Sequence, residues 1–527
     1  ECFVQMAILN IVTRLISCAW FGMALPLQAA ELTTLVYHDV TAEAGREAFS
    51  VSRSMFVAQM DYLKQNGYRP VSLDFIDKVS RGKASLPEKA VLLTFDDGLR
   101  SYGEFVAPLM KIYGYPTVVS VVGAWADGSA VPDEYRGKLM TWDELRKLRD
   151  NPLVEIISHS HNLHHHAPSN PYGDFAAAGV TRRYDSQTRS YESEEKFRQR
   201  IRNDMMLTVS VFKRHLGTVP RAIAWPYGHY DQLLVEEMTR AGMRFHLTLE
   251  NGPTAVSDFP RIRRIIVRNL ESLAGFIEDF QYQFRAADHR VVEFSLDAFG
   301  GLTDVAQEER LSRLLDRLQY LHATTVVVSP FTEDGREAFF FNRQMPVRSD
   351  ILNRVLHPIL HRLRIQHIYL SLPANPPVGN PDDLYTDLAR MNWFSGVVFD
   401  RSADSVGEDR VRRIVSYYNP VMKFGIDGMA GPGRRYDFSI TRLDAGASRA
   451  DMKAAVREMK QTSTRNLVII ENADAVDNRE LAARLRILRG LGIDDYGYSP
   501  DDYVTSRPSY HVVAPEMSAR SPGRRER

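Results

Sequence analysis

The stretch that most limits what this chain can become is Val91-Leu92-Leu93-Thr94-Phe95-Asp96-Asp97-Gly98. An apolar run of strand length, closed by two carboxylates and a glycine, reads as a buried strand that delivers charge to the rim of a sheet. Successive strand residues point to opposite faces, so one carboxylate of the pair can bind a metal while its neighbour stays free beside it. The competing reading is a plain Asp-Asp-Gly turn that ends a core strand. The same form recurs twice. Ile156-Ile157 runs into Ser158-His159-Ser160-His161-Asn162-Leu163-His164-His165-His166, and Ala222-Ile223-Ala224 runs into Trp225-Pro226-Tyr227-Gly228. Five imidazoles within eight residues exceed what a core needs, and neutral imidazole is a common ligand for zinc and its neighbours. Three polar strand ends in this order predict one site on the rim of a barrel.

The rest of the chain supplies the scaffold for such a rim. A strand over 32–37 ends in His38-Asp39, a helix over 55–66 is closed by Gly67, and a further apolar strand spans 116–122. Thr141, with Glu144 three residues on, caps a helix beginning at Trp142. Strands alternating with helices predict an α/β fold with parallel strands, and polar groups repeated at strand ends favour a barrel over an open sheet. The polar, arginine-rich stretch 168–195 is a long insertion, with Arg182, Arg183, Tyr184 and Tyr191 placed either along a groove or on a solvated loop. At 527 residues the chain is long enough for two domains. Composition turns polar over 281–289 and a new strand begins at Val291, so the expected division is 31–287 and 288–517. The second half repeats the alternation, with strands at 325–328, 368–371, 396–399, 422–426 and 467–470, and the 518–527 tail of Arg, Ser and Pro reads as disordered.

Lys plus Arg and Asp plus Glu both number 66, so no overall basic field recruits nucleic acid or an anionic membrane. A neutral carbohydrate partner fits that balance, and a monomer is the expected state. Arg14 followed by the apolar run Leu15 to Ala30 reads as a secretory signal over residues 1–30, cleaved near Ala29 or Ala30. Leu15-Ile16-Ser17-Cys18 also resembles a lipoprotein box, which would place a lipid on Cys18 at the outer membrane. Cys2 and Cys18 both precede that cleavage point, so the mature chain is expected to carry neither a disulfide nor a cysteine nucleophile.

Thr94-Phe95-Asp96-Asp97-Gly98, the His159 cluster and Trp225-Pro226-Tyr227-Gly228 resemble the ordered motifs of the polysaccharide deacetylases, carbohydrate esterase family four. Tyr37-His38-Asp39-Val40, Ser158 to His165 and Pro260-Arg261-Ile262-Arg263-Arg264 are similar to the periplasmic members that act on poly-β-1,6-N-acetylglucosamine in biofilm systems. The resemblance implies two (β/α) barrel-type domains: a polysaccharide-deacetylase barrel, then a shortened TIM-like barrel related to glycoside hydrolases. It implies a hydrolase of amide C–N bonds that partly N-deacetylates poly-N-acetylglucosamine during biofilm matrix synthesis, with an outer-membrane export porin as a further partner. Another N-acetylated glycan, chitooligosaccharide or peptidoglycan, is the alternative substrate, and a non-catalytic glycan-binding protein the alternative class.

The family's roles carry over residue by residue. Asp97, His159 and His164 become the ligands of one divalent ion, which lowers the pKa of a bound water towards about 7. Asp96 becomes the general base, and His38 an active-site histidine, either catalytic or substrate-contacting. Trp225, Pro226 and Tyr227 line the substrate, with a backbone amide near Tyr227 stabilising the oxyanion. Zinc suits two His and one Asp, with nickel, cobalt or iron also acceptable. His159 and His164 stand five apart, where the wider family has four, so His161 and His165 stay open as donors and His166 is read as surface. No late Leu-x-x-His motif supplies a general acid, and His246 reads as a core histidine. In the second domain the family's acidic pair is replaced by Arg401-Ser402 in Val397-Val398-Phe399-Asp400-Arg401-Ser402-Ala403-Asp404, which implies a degenerate hydrolase. Asp400 and Asp404 are the substitutes, and Trp393, Phe394, Tyr417, Tyr418, Tyr496 and Tyr498 are candidate sugar-stacking rings or core.

Overall fold

The computed structural model describes residues 31–43, 47–250, 252–269, 272–282, 288–365, 367–400, 404–428, 436–459 and 464–518. The expected leader with Cys2 and Cys18, the Arg401-Ser402 replacement and all of the expected tail but Ser518 lie outside these residues.

The first sheet has ten strands among the described residues, of which seven make its parallel run in spatial order: β1 (Glu31–Tyr37), β2 (Ala90–Phe95), β3 (Thr117–Val121), β4 (Val154–Ser158), β5 (Ala222–Ala224), β6 (Phe245–Leu247) and β7 (Arg261–Ile262). Each pairs in parallel with the next. The apolar runs explain why β2 and β3 are central: every residue of both is buried. Burying each Val or Leu side chain contributes about 1.5–3 kcal/mol. β7 pairs with β6, while the next residues, Ile265–Ile266, pair with β1. The segment 261–266 therefore joins the sheet's two edges and curls it into a barrel. Thr141 caps the helix Trp142–Arg149 with the reciprocal Glu144 bond.

The second sheet is a closed barrel of eight parallel strands: β8 (Arg290–Phe294), β9 (Thr325–Val328), β10 (His367–Leu372), β11 (Gly396–Phe399), β12 (Lys423–Asp427), β13 (Phe438–Asp444), β14 (Arg465–Glu471) and β15 (Tyr496–Tyr498), the last returning to β8. The shortening expected of this barrel does not touch its strands. Val291, Val327, Tyr369, Val398, Phe438, Ile440, Leu467 and Ile469 form one buried cluster contributed by six of the strands, and a larger cluster packs strands against helices. This is the filled core of a barrel rather than a pore.

The 168–195 insertion joins the two halves. It carries two short hairpins, Phe175–Ala177 with His166–Pro168 and Tyr184–Asp185 with Ser190–Tyr191. Asn170 donates to Asn353 at 2.7 Å, Arg354 pairs with Asp174 at 2.9 Å and Arg390 with Glu194 at 3.2 Å. Of the two readings offered for this stretch, groove or solvated loop, neither anticipated that much of its polarity is spent on binding the second barrel.

Candidate metal centre

The β2 strand ends in a way alternation alone does not anticipate. The Asp96 N–H still donates to the Tyr37 carbonyl at 2.9 Å, as a ladder residue would, but Asp97 turns to a φ of 70° and Gly98 follows at 70°. A left-handed aspartate costs roughly 1–2 kcal/mol. Its effect is to bring both carboxylates to the same imidazole, His159 Nε2, at 3.9 Å from Asp96 Oδ2 and 3.6 Å from Asp97 Oδ1.

The two carboxylates then differ in what holds them. Asp96 Oδ1 accepts from Ser120 Oγ at 2.6 Å and from Arg264 Nη1 at 2.7 Å, with the Arg264 side chain fully buried. Burial opposes ionisation of Asp96, yet the Arg264 guanidinium, helped by His159 and His38, outweighs it and holds the carboxyl well below the usual carboxylate range. Arg264 can do this because segment 261–266 closes the sheet above β2. Asp97 Oδ2 accepts from Tyr135 Oη at 3.1 Å, while Oδ1 is buried with no hydrogen-bond partner among the described residues. That orphan lies 3.6 Å from His159 Nε2 and 3.4 Å from His164 Nε2.

His159 Nδ1 donates to the Ala224 carbonyl at 2.7 Å, which assigns the proton to that nitrogen and leaves the Nε2 lone pair facing Asp97. Burial lowers the pKa of both His159 and His164 to about 4, so both rings are neutral near pH 7. The His164 ring is wedged between Trp125, at 4.8 Å, and Tyr227, at 4.6 Å. Asp97, His159 and His164 each turn one donor atom to a common point, all within 4.8 Å of one another. A buried carboxylate oxygen without a donor among the described residues, and two neutral imidazoles of which His159 turns an unprotonated nitrogen to it, fit a divalent cation.

The other histidines of the cluster point elsewhere. His161 contributes no atom to the group, His165 Nε2 takes Arg183 Nη2 at 3.3 Å, and His166 is exposed against the Tyr227 ring at 4.3 Å. His38 lies close enough to influence both Asp96 and His164, and its Nδ1 is buried without a hydrogen bond among the described residues. Tyr227, in a left-handed conformation at φ 58°, presents its ring to the centre, but Trp225 does not. Trp225 is 1% exposed and donates its indole N–H to His246 Nδ1 at 3.1 Å. The indole is thus spent in the core, where it bonds the expected core histidine, and Pro226 is likewise buried. Sequence reading missed Arg264, Ser120 and Tyr135 as site residues. Arg264 alone carried a signal, standing in the Pro260 to Arg264 motif.

The second barrel's mouth is also rich in carboxylates, at the C-terminal ends of its strands where such barrels place their sites. Here a cation already stands among them. Arg442 reaches Glu293 at 2.8 Å, Asp427 at 2.7 Å and Glu471 at 3.5 Å. Asp404 caps the helix Ser405–Tyr418, accepting the Gly407 N–H and the Asn375 amide. Phe394, Tyr496 and Tyr498 are buried and belong to the core, while Tyr417 receives Arg198 across the joint at 3.1 Å.

Residues 83–246 match the family described as polysaccharide deacetylase, and residues 302–375 match hypothetical glycosyl hydrolase family 13. A poly-beta-1,6-N-acetyl-D-glucosamine N-deacetylase of Escherichia coli (strain K12) is 31% identical over 351 residues, which are 64% of this chain and 52% of that protein. A protein of the same name from Staphylococcus aureus (strain MSSA476) is 22% identical over 222 residues, 42% of this chain and 68% of that protein. The chain thus spans about half the length of the first of these relatives. The solved de-N-acetylase from Aggregatibacter actinomycetemcomitans is 30% identical and covers 47% of this chain and 99% of its own, with a TM-score of 0.44.

Proposed function

We propose that this chain, whose residues 83–246 match the polysaccharide deacetylase family, hydrolyses N-acetyl groups of a poly-β-1,6-linked N-acetylglucosamine polymer at the Asp97, His159 and His164 centre. The observation that carries this reading is the buried, unpaired Asp97 Oδ1 facing two imidazole nitrogens, beside a carboxylate that Arg264 holds ionised. The substrate is taken from the curated relatives of that name.

Asp97, His159 and His164 hold the divalent ion, zinc by the chemistry of the donor set. When bound, that ion polarises the amide carbonyl and acidifies water. Asp96 takes the proton of the attacking water on Oδ2, since Oδ1 is engaged by Ser120 and Arg264. His38, close enough to influence Asp96 and His164, returns a proton to the leaving amine. The backbone at Tyr227 supports the developing oxyanion, and its ring forms one wall for the sugar. The division at 287/288 and export to the periplasm, which rests on the leader-like residues before Glu31, belong to the same reading.

Acetate release by the full chain tests it, measured on poly-β-1,6-N-acetylglucosamine, chitooligosaccharide and peptidoglycan side by side. Fastest release from the β-1,6 polymer, lost in Asp96→Asn with the metal retained, is the expected result. Faster release from either other glycan overturns the substrate, and undiminished turnover in Asp96→Asn overturns the base.

A further inference from the structure

The two histidine ligands sit at the ends of a loop, 159–164, whose middle touches neither of them. Its second residue, Ser160, has φ 67°, a conformation L residues rarely adopt. Three sets of bonds hold it there. Ser158 Oγ accepts the Ser160 N–H at 2.9 Å and Ser160 Oγ accepts the Leu163 N–H at 3.0 Å. From one neighbour, the turn after β3, the Gly123 and Ala124 N–H groups donate to the Ser160 and His161 carbonyls at 3.1 and 2.9 Å. From another, the helix Glu194–Leu216, a single carboxylate completes the grip: Asp204 accepts the His161 N–H on Oδ2 at 3.0 Å and the Asn162 N–H on Oδ1 at 2.7 Å.

We infer that Asp204 is a positioning residue for the metal centre, fixing the loop so that His159 Nε2 and His164 Nε2 converge on Asp97. Asp204 is 6% exposed, and a carboxylate is left this deep in a helix face only when its oxygens are fully used. Both are used on the loop between the ligands. Gly123 grips the same peptide closely enough that a Cβ there would stand 2.8 Å from His161 Nδ1, so the loop cannot relax toward the β3 turn when Asp204 is removed. It can relax only the other way, toward a cavity of about 720 Å³ bounded by Asn162, Leu163 and Asp204 themselves and by Lys196, Gln199 and Arg200. Water entering from that cavity satisfies the vacated N–H groups, which lets the variant fold while the ligand geometry loosens.

This inference rests on the proposed metal centre, and its test separates the two. Zinc affinity of the full chain is measured by competition with a chromogenic chelator, together with KM and kcat for the polymer, in wild type, Asp204→Asn and Asp204→Ala. Asparagine keeps one acceptor, so zinc affinity falls on the order of 10-fold in Asp204→Asn and on the order of 100-fold in Asp204→Ala, with KM unchanged and kcat restored by excess zinc. Should the alanine variant fail to fold, the asparagine variant alone decides. Unchanged zinc affinity in a folded Asp204→Asn overturns the positioning role. So does loss of kcat that excess zinc does not restore. A wild-type chain that binds no zinc overturns the metal centre instead.

Discussion

The two barrels present the same raw material, carboxylates at strand ends with an arginine among them, and arrange it to opposite effect. In the first, Arg264 stands behind the site, bonds one oxygen of Asp96 and leaves Asp97 Oδ1 without a donor opposite two neutral imidazoles. In the second, Arg442 stands in the middle and reaches Glu293, Asp427 and Glu471 itself. In both cases a guanidinium lies within bonding reach of carboxylate oxygens. What differs is whether any lone pair is left over. A carboxylate braced from behind stays available to a ligand, whereas carboxylates gathered around an internal cation have their ligand built in. Glycoside cleavage usually needs two carboxyl groups free to flank the bond, and Arg442 already engages those it reaches.

The largest effect that would break this contrast is in the first barrel. Asp97→Ala, His159→Ala and His164→Ala each remove a donor, so each is expected to lose bound metal and to lower turnover by more than about 100-fold, beyond what a supporting residue costs. Metal content by elemental analysis, read beside acetate release, checks it. Full occupancy in His164→Ala would move the ligand to His161 or His165. Next comes Asp96→Asn, which keeps the metal and lowers turnover by roughly 10²–10⁴-fold.

Stability gives the next comparison. Arg264→Met leaves the Asp96 carboxylate buried and unpaired, which costs about 3–5 kcal/mol. Arg442→Met leaves its carboxylates partly reached by solvent, with Glu293 21% and Asp427 24% exposed, and costs only about 1–2 kcal/mol. Urea unfolding of both variants measures the gap, and equal losses would erase the distinction between a brace and a built-in ligand. A dependence on pH is common to both barrels. Burial lowers His246 in the first, and His289 and His367 in the second, to about 4, 2 and 4. The unfolded chain takes up these protons first, near pH 6.5, so stability is full above that pH and declines as pH falls towards 4. A urea midpoint that does not fall between pH 6.5 and 4 contradicts these burials. Zinc is expected to slow the decline for the first barrel alone.

Much of this was legible in the chain. The apolar runs at 325–328 and 396–399 recur as β9 and β11 with the same bounds, and the carboxylate and imidazole clusters gather where the strand ends put them. Two barrel strands were not legible. β13 reads Phe438-Ser439-Ile440-Thr441-Arg442-Leu443-Asp444, too polar for a buried strand until Ser439 is seen bonded to Asn466 and Arg442 to the facing carboxylates. β15 is Tyr-Gly-Tyr, and its glycine argues against a strand, yet any Cβ at Gly497 would collide with the Val291 carbonyl. The tyrosines beside it, open in the sequence as sugar platforms or core, are core, their hydroxyls bonded to Glu516 and Asp501. The same limit hid Arg264, 168 residues from Asp96 along the chain, and Asp204, 43 residues from His161. Spacing within a motif shows in sequence; a partner brought in by the closing of a sheet or the packing of a helix does not.

The central claim, that the first barrel's unpaired donors bind a metal for amide hydrolysis, is tested most directly by acetate release from poly-β-1,6-N-acetylglucosamine before chelation, after it, and after zinc is returned at one equivalent per chain. Release that disappears with the metal and returns with that single equivalent is the predicted result. Release that continues undiminished in the chelated protein would contradict it.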